Sequence, residues 1–357
     1  MKQTNSIRII VGLLVALGIA SCSGHSGEQH PRYSTFPKEE KIIAQVIPID
    51  TILFRYPYRV TVREGVAVVL DLHNLDHYLH AFTYPDWKHI TSFGKRGEAP
   101  HEMLSAETFQ FNSLDSIWSL DANKMEITRW SISVENRTAQ RVEEVNLDKS
   151  LIRSLDFQAT NSGFMVPDYM GTDRYWQLDS KGNVSQSYGT IPTEKEINES
   201  SRPALAQAWR SFMDYNPTNG ILAMVTQLGE VIEVRNLKEN KHTILYGPEG
   251  EPQFRTASDG KGIPSGIMGF SDVKVTDNYI YAVFHGRKFK DIKAAYQRGE
   301  KPESGGRHIY VFDLQGNPVK KYTLDRPIYG IDINEQTNTI TATEVDSDNP
   351  IIEFKIS

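Results

Sequence analysis

Along this chain apolar residues alternate with polar ones over short stretches, and each stretch stops at a cluster of Gly, Asn, Asp or Pro. That alternation is the period of a strand with one buried face; long runs at the helical period are missing. The strand-like runs fall into sets of four. They are 58–62, 65–72, 77–84 and 89–93; 108–112, 116–120, 124–132 and 141–145; 151–158, 163–166, 174–178 and 184–188; 209–214, 221–226, 230–235 and 242–246; 270–275, 279–284, 308–312 and 319–323. A last set, 328–333, 339–343 and 351–356, is one strand short. Four short antiparallel strands recurring every 40–60 residues or so are the signature of propeller blades. The missing strand is available upstream, at residues 41–48 (KIIAQVIP). Placed beside 351–356, it closes the ring and removes both free edges. The pattern therefore predicts an all-β fold: a six-bladed β-propeller of four-stranded antiparallel blades, closed by an N-terminal strand and occupying residues 41–357.

The turn chemistry agrees. Lys181-Gly182-Asn183, Gln315-Gly316-Asn317 and Thr276-Asp277-Asn278 separate neighbouring runs, and Gly, Asn and Asp tolerate the left-handed backbone of tight turns. Two segments exceed a simple blade. Residues 192–210 turn Ala-rich and suit a short helix. Residues 285–307 interrupt the fifth set, and 288–297 there suits about two helical turns. Such a helix brings Lys288, Lys290 and Lys293 near one another, either as a solvated face or as a contact for an acidic partner.

The N-terminus has a different character. Lys2 and Arg8 precede an apolar run from Ile9 to Ala20. At about 1.5 Å per residue this run reaches only about 18 Å, short of the roughly 30 Å of a hydrocarbon core. It reads as a cleavable signal peptide over residues 1–21. It ends in Ile19-Ala20-Ser21-Cys22, which resembles the bacterial lipobox, and Cys22 is the chain's one cysteine. Lipidation of Cys22 would anchor the mature chain to a membrane and remove a free thiol from an oxidising compartment. Residues 22–40 are polar without an apolar period and read as a flexible tether. Loss of residues 1–21 removes Lys2 and Arg8 and no acid, so the net charge moves from −6 to −8. An acidic chain gives no general attraction to nucleic acid or to anionic lipid.

The segment Phe93-Gly94-Lys95-Arg96-Gly97-Glu98-Ala99-Pro100 closes the first set, and Tyr246-Gly247-Pro248-Glu249-Gly250-Glu251-Pro252 closes the fourth more loosely. With the lipobox and the six units, the chain resembles the TolB-like six-bladed propeller lipoproteins of the Bacteroidota, which are related to NHL-type propellers. The resemblance spans nearly the whole mature chain and implies an exported envelope protein. It implies no catalytic residue. The tether lacks an acidic surface-export signal, which favours an outer-membrane anchor facing the periplasm, with exposure on the cell surface as the alternative.

Nucleotide-loop, zincin and nucleophile-elbow motifs are missing from the sequence. His77 and His80 differ in strand parity, so they do not share a face. The more telling pattern is acidic. Asp156, Asp214, Asp272 and Asp332 fall in the first strands of four sets, with Arg153 and Arg210 nearby. First strands line a propeller's channel, so these six residues are candidates for ligand binding there. Converging carboxylates also suit Ca²⁺; the plainer reading is that they bond to turn amides, pair with arginines or face water. No other cofactor is implied. The leading expectation is a non-enzymatic protein binding an envelope protein, peptide or glycan through one disc face. The alternatives are a metal-dependent hydrolase or lyase at the channel and a structural part of an envelope assembly. Nothing in the sequence sets an oligomeric state.

Overall fold

The computed structural model describes residues 31–49, 54–258 and 260–356. Cys22, the signal peptide and the first part of the tether lie outside the described residues. Six four-stranded antiparallel blades run in chain order round a ring. Their inner strands are Pro57–Arg63, Thr108–Ser113, Gln158–Thr160, Ser211–Asn216, Phe270–Val275 and Ile331–Asn334. The second strands, such as Val66–Asp71 and Ile221–Thr226, are buried at every position. A blade's middle is covered on both faces by its neighbours, so these strands read as continuous apolar runs. The outer strand Thr138–Asn146 is mostly exposed.

The core lies between blades. Apolar clusters fill the junctions of blades one and two around Phe93, Phe111 and Trp130, and of two and three around Phe157 and Phe164. Others join four to five through Phe270 and Phe312, five to six through Ile309 and Phe354, and six to one through Ile351 and Phe82. The junction of three and four is smaller and rich in methionine: Met165, Met213 and Met224.

Ala44–Ile47 pairs antiparallel with Ile351–Lys355 and completes the sixth blade, so the ring closes through an N-terminal strand as the pattern predicts. The strand is shorter than 41–48, because the chain first pairs elsewhere. Lys38–Ile42 lies parallel to the outer strand Pro318–Ile328 and adds a fifth strand to blade five. Glu39 meets Lys321 at 3.1 Å and Glu40 meets Lys320 at 3.7 Å across that pairing. The tether expected through residue 40 is therefore docked from residue 32 on. Arg32 bridges Tyr246, and Tyr33 is buried with its hydroxyl donating to Glu230 at 3.0 Å. Blade three departs from the expected 151–158: its inner strand is only Gln158–Thr160. Leu151 and Phe157 are drawn into the core between blades, and this packing overrides strand pairing upstream.

Strand direction alternates, so two sets of connections lie on opposite faces. One face carries the hairpins joining first to second strands. The other carries the second-to-third loops and the passages between blades. Two helices lie on this second face: α1 (Arg202–Ala208) between blades three and four, and α2 (Phe289–Gln297) in blade five. A small hairpin, Gln253–Thr256 with Gly262–Ser265, sits beside both.

Candidate functional site

Alternate residues of an inner strand face the axis. In blade one these are Arg59, Thr61 and Arg63; in blade five, Asp272 and Lys274; in blade four, Asp214 and Asn216. They enclose a chamber of about 400 Å³. It opens into a mouth of about 760 Å³, ringed by the first-to-second hairpins of blades one, five and six, with Asp214 and Asn216 of blade four's inner strand between them. Toward the opposite face the axis is crossed by Arg59. Its guanidinium lies 4.0 Å over Tyr58 and 4.9 Å over Phe212, and it donates to the Ser271 carbonyl at 2.6 Å. Its Nε stands 3.4 Å from Asp272, with both side chains buried.

The aspartates singled out from the sequence all lie along this channel, yet they do not converge on one point. Each accepts a backbone N–H from the next blade. Asp156 takes that of Met213 at 2.9 Å, Asp214 that of Val275 at 2.7 Å, Asp272 that of Ile331 at 2.9 Å and Asp332 that of Val62 at 3.0 Å. Gln110 does the same for Ala159. Five of the six junctions thus carry a side-chain staple at the axis. Among the described residues no three of His, Cys, Asp or Glu stand close enough to hold a metal ion. Arg153 and Arg210 do not line the chamber. They sit where the inner strands begin, on the other face, and both approach Glu107, at 3.1 and 3.8 Å.

The electrostatics of the wall are uneven. Burial pushes the Asp156 carboxyl up to about 7 against the pull of the N–H groups of Met213 and Phe157. Asp214 is raised as well, again by burial first. Burial works to lower the pKa of Lys274, but Asp272, Asp214 and Asp332 outweigh it and hold the value raised. The Lys274 ammonium makes no direct hydrogen bond or ion pair with the described residues, whereas Arg63 donates to Asp332 at 3.0 Å. Arg59, Arg63 and Lys274 escaped the sequence reading, which followed the aspartates and took Arg153 and Arg210 as their basic companions. A signal was present: polar residues at every second position of strands otherwise buried.

The aspartates at the far ends of second strands were also missed. Asp71 accepts N–H groups from Arg55 at 2.7 Å and Tyr56 at 2.9 Å. Asp121 accepts from Leu104 at 2.7 Å, and Asp168 from Met170 at 2.7 Å. These recur in blades one to three and pin the loops of the face opposite the mouth.

The molecule is thus a six-bladed propeller with a polar blind channel open on one face. Residues 35–336 match the TolB-like 6-blade propeller-like family, and the chain belongs to it. Among solved structures it resembles a member of the DUF4221 family from Bacteroides vulgatus, at 11% identity and a TM-score of 0.57, covering 88% of this chain and 95% of that one. It also resembles a Bacteroides fragilis protein described as a candidate exported protein, at 11% identity and a TM-score of 0.53, covering 90% and 98%. At such identities the likeness shows the fold. No curated protein matches. Among the described residues no helix is long and apolar enough to cross a membrane.

Proposed function

We propose that this protein is a lipid-anchored, non-enzymatic binding protein of the cell envelope, and that a polar segment of a peptide or glycan enters the channel mouth. The observation that carries the reading is the mouth itself. Its volume of about 760 Å³ falls in the range of ligand pockets. Asn216, Asn278 and Gln336 offer amides, and Tyr84 offers an aromatic face. Glu64, Asp214, Asp277, Asp332 and Glu335 outnumber Arg63 and Lys274, so the mouth favours neutral or cationic ligands over anionic ones. Lys274 supplies a donor at the floor for a ligand carbonyl or hydroxyl. The signal peptide, the lipobox and the likeness to a candidate exported protein support the envelope placement.

Arrays of envelope glycans and peptides, probed with the labelled full chain, test this. Asn278→Trp narrows the mouth from an exposed hairpin. The wild type should retain a ligand that this variant loses, with melting unchanged. Equal capture by both chains would contradict the site, and conversion of the ligand into products would contradict the non-enzymatic reading.

A further inference from the structure

The two faces of the disc differ in what they leave uncovered. Ten large hydrophobic side chains are exposed among the described residues. Six of them, Leu75, Leu104, Ile152, Met170, Ile263 and Tyr296, lie in second-to-third loops or in passages between blades, and so on the face opposite the mouth. They are spread over loops from blade one to blade five rather than gathered in one groove. The same face carries α2, none of whose residues is buried, with Tyr296 63% exposed. Lys288, Lys290 and Lys293, on and just before this helix, make no side-chain hydrogen bond or ion pair with the described residues. Scattered apolar side chains beside lysines that form no ion pair, with Asp291, Glu303 and Glu249 near them, match the interfacial layer of a phospholipid bilayer.

The chain's own path picks out the same face. Tyr246 ends the outer strand of blade four, and outer strands end on the face opposite the mouth. The N–H of Tyr33 donates to the Tyr246 carbonyl, and the Tyr246 N–H donates to that of Pro31. Tyr246 and Phe289 of α2 pack in one apolar cluster. The described chain therefore begins beside the cap that carries α2. Only nine residue steps separate Pro31 from Cys22, a reach of about 30 Å even at full extension.

We propose that this face lies against an anionic phospholipid surface, with α2 and its lysines in the headgroup layer, and that the channel mouth looks away from the membrane. The inference rests on acylation of Cys22, which supplies the short leash; the helix and the exposed apolar side chains set the orientation. It also gives the mouth its access, since a mouth turned to the bilayer would be closed to a large ligand.

The test uses the full chain with Tyr296→Cys or, on the opposite face, Asn278→Cys, each carrying a fluorophore on the new thiol. Intact mass first reports whether Cys22 is acylated. The chains are placed on vesicles of brominated phosphatidylglycerol and phosphatidylcholine, or of brominated phosphatidylcholine alone. Quenching at position 296 should exceed that at 278 severalfold on the anionic vesicles. It should weaken on phosphatidylcholine alone and with Lys288, Lys290 and Lys293 all changed to Gln. An acylated, vesicle-bound chain quenched equally at both positions, more at 278, or at neither would overturn the orientation. So would a membrane contact indifferent to lipid charge. A chain with Cys22 unacylated would overturn the anchor instead; with Cys22→Ser added so that only position 296 is labelled, vesicle-dependent quenching there would uphold the face without the leash, and its absence would overturn both.

Discussion

Asp272 serves three partners at the channel wall. One oxygen takes the Ile331 N–H at 2.9 Å, and the other takes the Val273 N–H at 3.0 Å and balances the buried Arg59 at 3.4 Å. Asp272→Asn keeps an acceptor for Ile331 but leaves a guanidinium buried without its counter-charge. Breaking such a pair costs about 3–5 kcal/mol. Asp332→Asn should cost nearer 1 kcal/mol, because Arg63 is 44% exposed and water shares its charge. Urea unfolding of the two variants checks the ranking; equal losses would contradict it. Asp156 gives a pH signature. Its folded value of about 7 lies above the ordinary carboxylate range, so between those values the folded chain holds a proton that the unfolded chain has released. Its contribution to stability is therefore full at low pH, falls as pH rises toward 7, and is constant above. Asp156→Asn cannot titrate. The wild type's stability relative to this variant should thus decline from about pH 4 to about pH 7, by about 1.4 kcal/mol for each unit separating the two pKa values. A constant difference over that range would contradict the assignment. The parity of Arg59, Thr61 and Arg63 was legible in the sequence. The reach of Arg59 to Ser271, 212 residues away, was not, because it exists only once the ring has closed.

The N-terminal strands show what an element can and cannot announce. Ala44–Ile47 lies in an apolar run, and the last blade lacked one strand, so the closure was readable. Lys38–Ile42 is KEEKI, which reads as a solvated tether. Its partners, Lys320 and Lys321, lie some 280 positions away, and only the assembled edge shows that the charges match. The two strands should differ in importance. Gln45→Pro removes a ladder N–H from the closing strand, because the Ala44 N–H already points away to Asp325 and the donors alternate, and it strains a blade that needs this strand to reach four. Glu40→Pro disturbs only a fifth strand laid on a complete blade. Chemical unfolding should show a lower midpoint and a shallower transition for Gln45→Pro, and a shift of about 1 kcal/mol for Glu40→Pro. A larger loss for Glu40→Pro would mean that the strap, not the closure, holds the ring. The short inner strand of blade three was illegible for another reason. Leu151 and Phe157 look like strand residues, but the space between blades claims them first.

At the scale of the whole molecule the two faces of the propeller differ. One face holds the helices, the exposed apolar side chains and the point where the described chain begins. The other holds the mouth of a chamber stapled by aspartates and closed at its far end by Arg59. The sequence period was enough for six blades, since each blade repeats the same strand pattern. It could not show the mouth, because that forms only where hairpins far apart in the chain meet round the closed ring. The account turns on the claim that ligand enters the mouth. Hydrogen exchange on the full chain, with and without a ligand recovered from the arrays, tests that claim directly. Protection should appear in the hairpins around Gly65, Pro217, Asp277 and Gln336, with exchange at Phe289–Gln297 unchanged. Protection confined to α2 and the passages between blades would contradict the account.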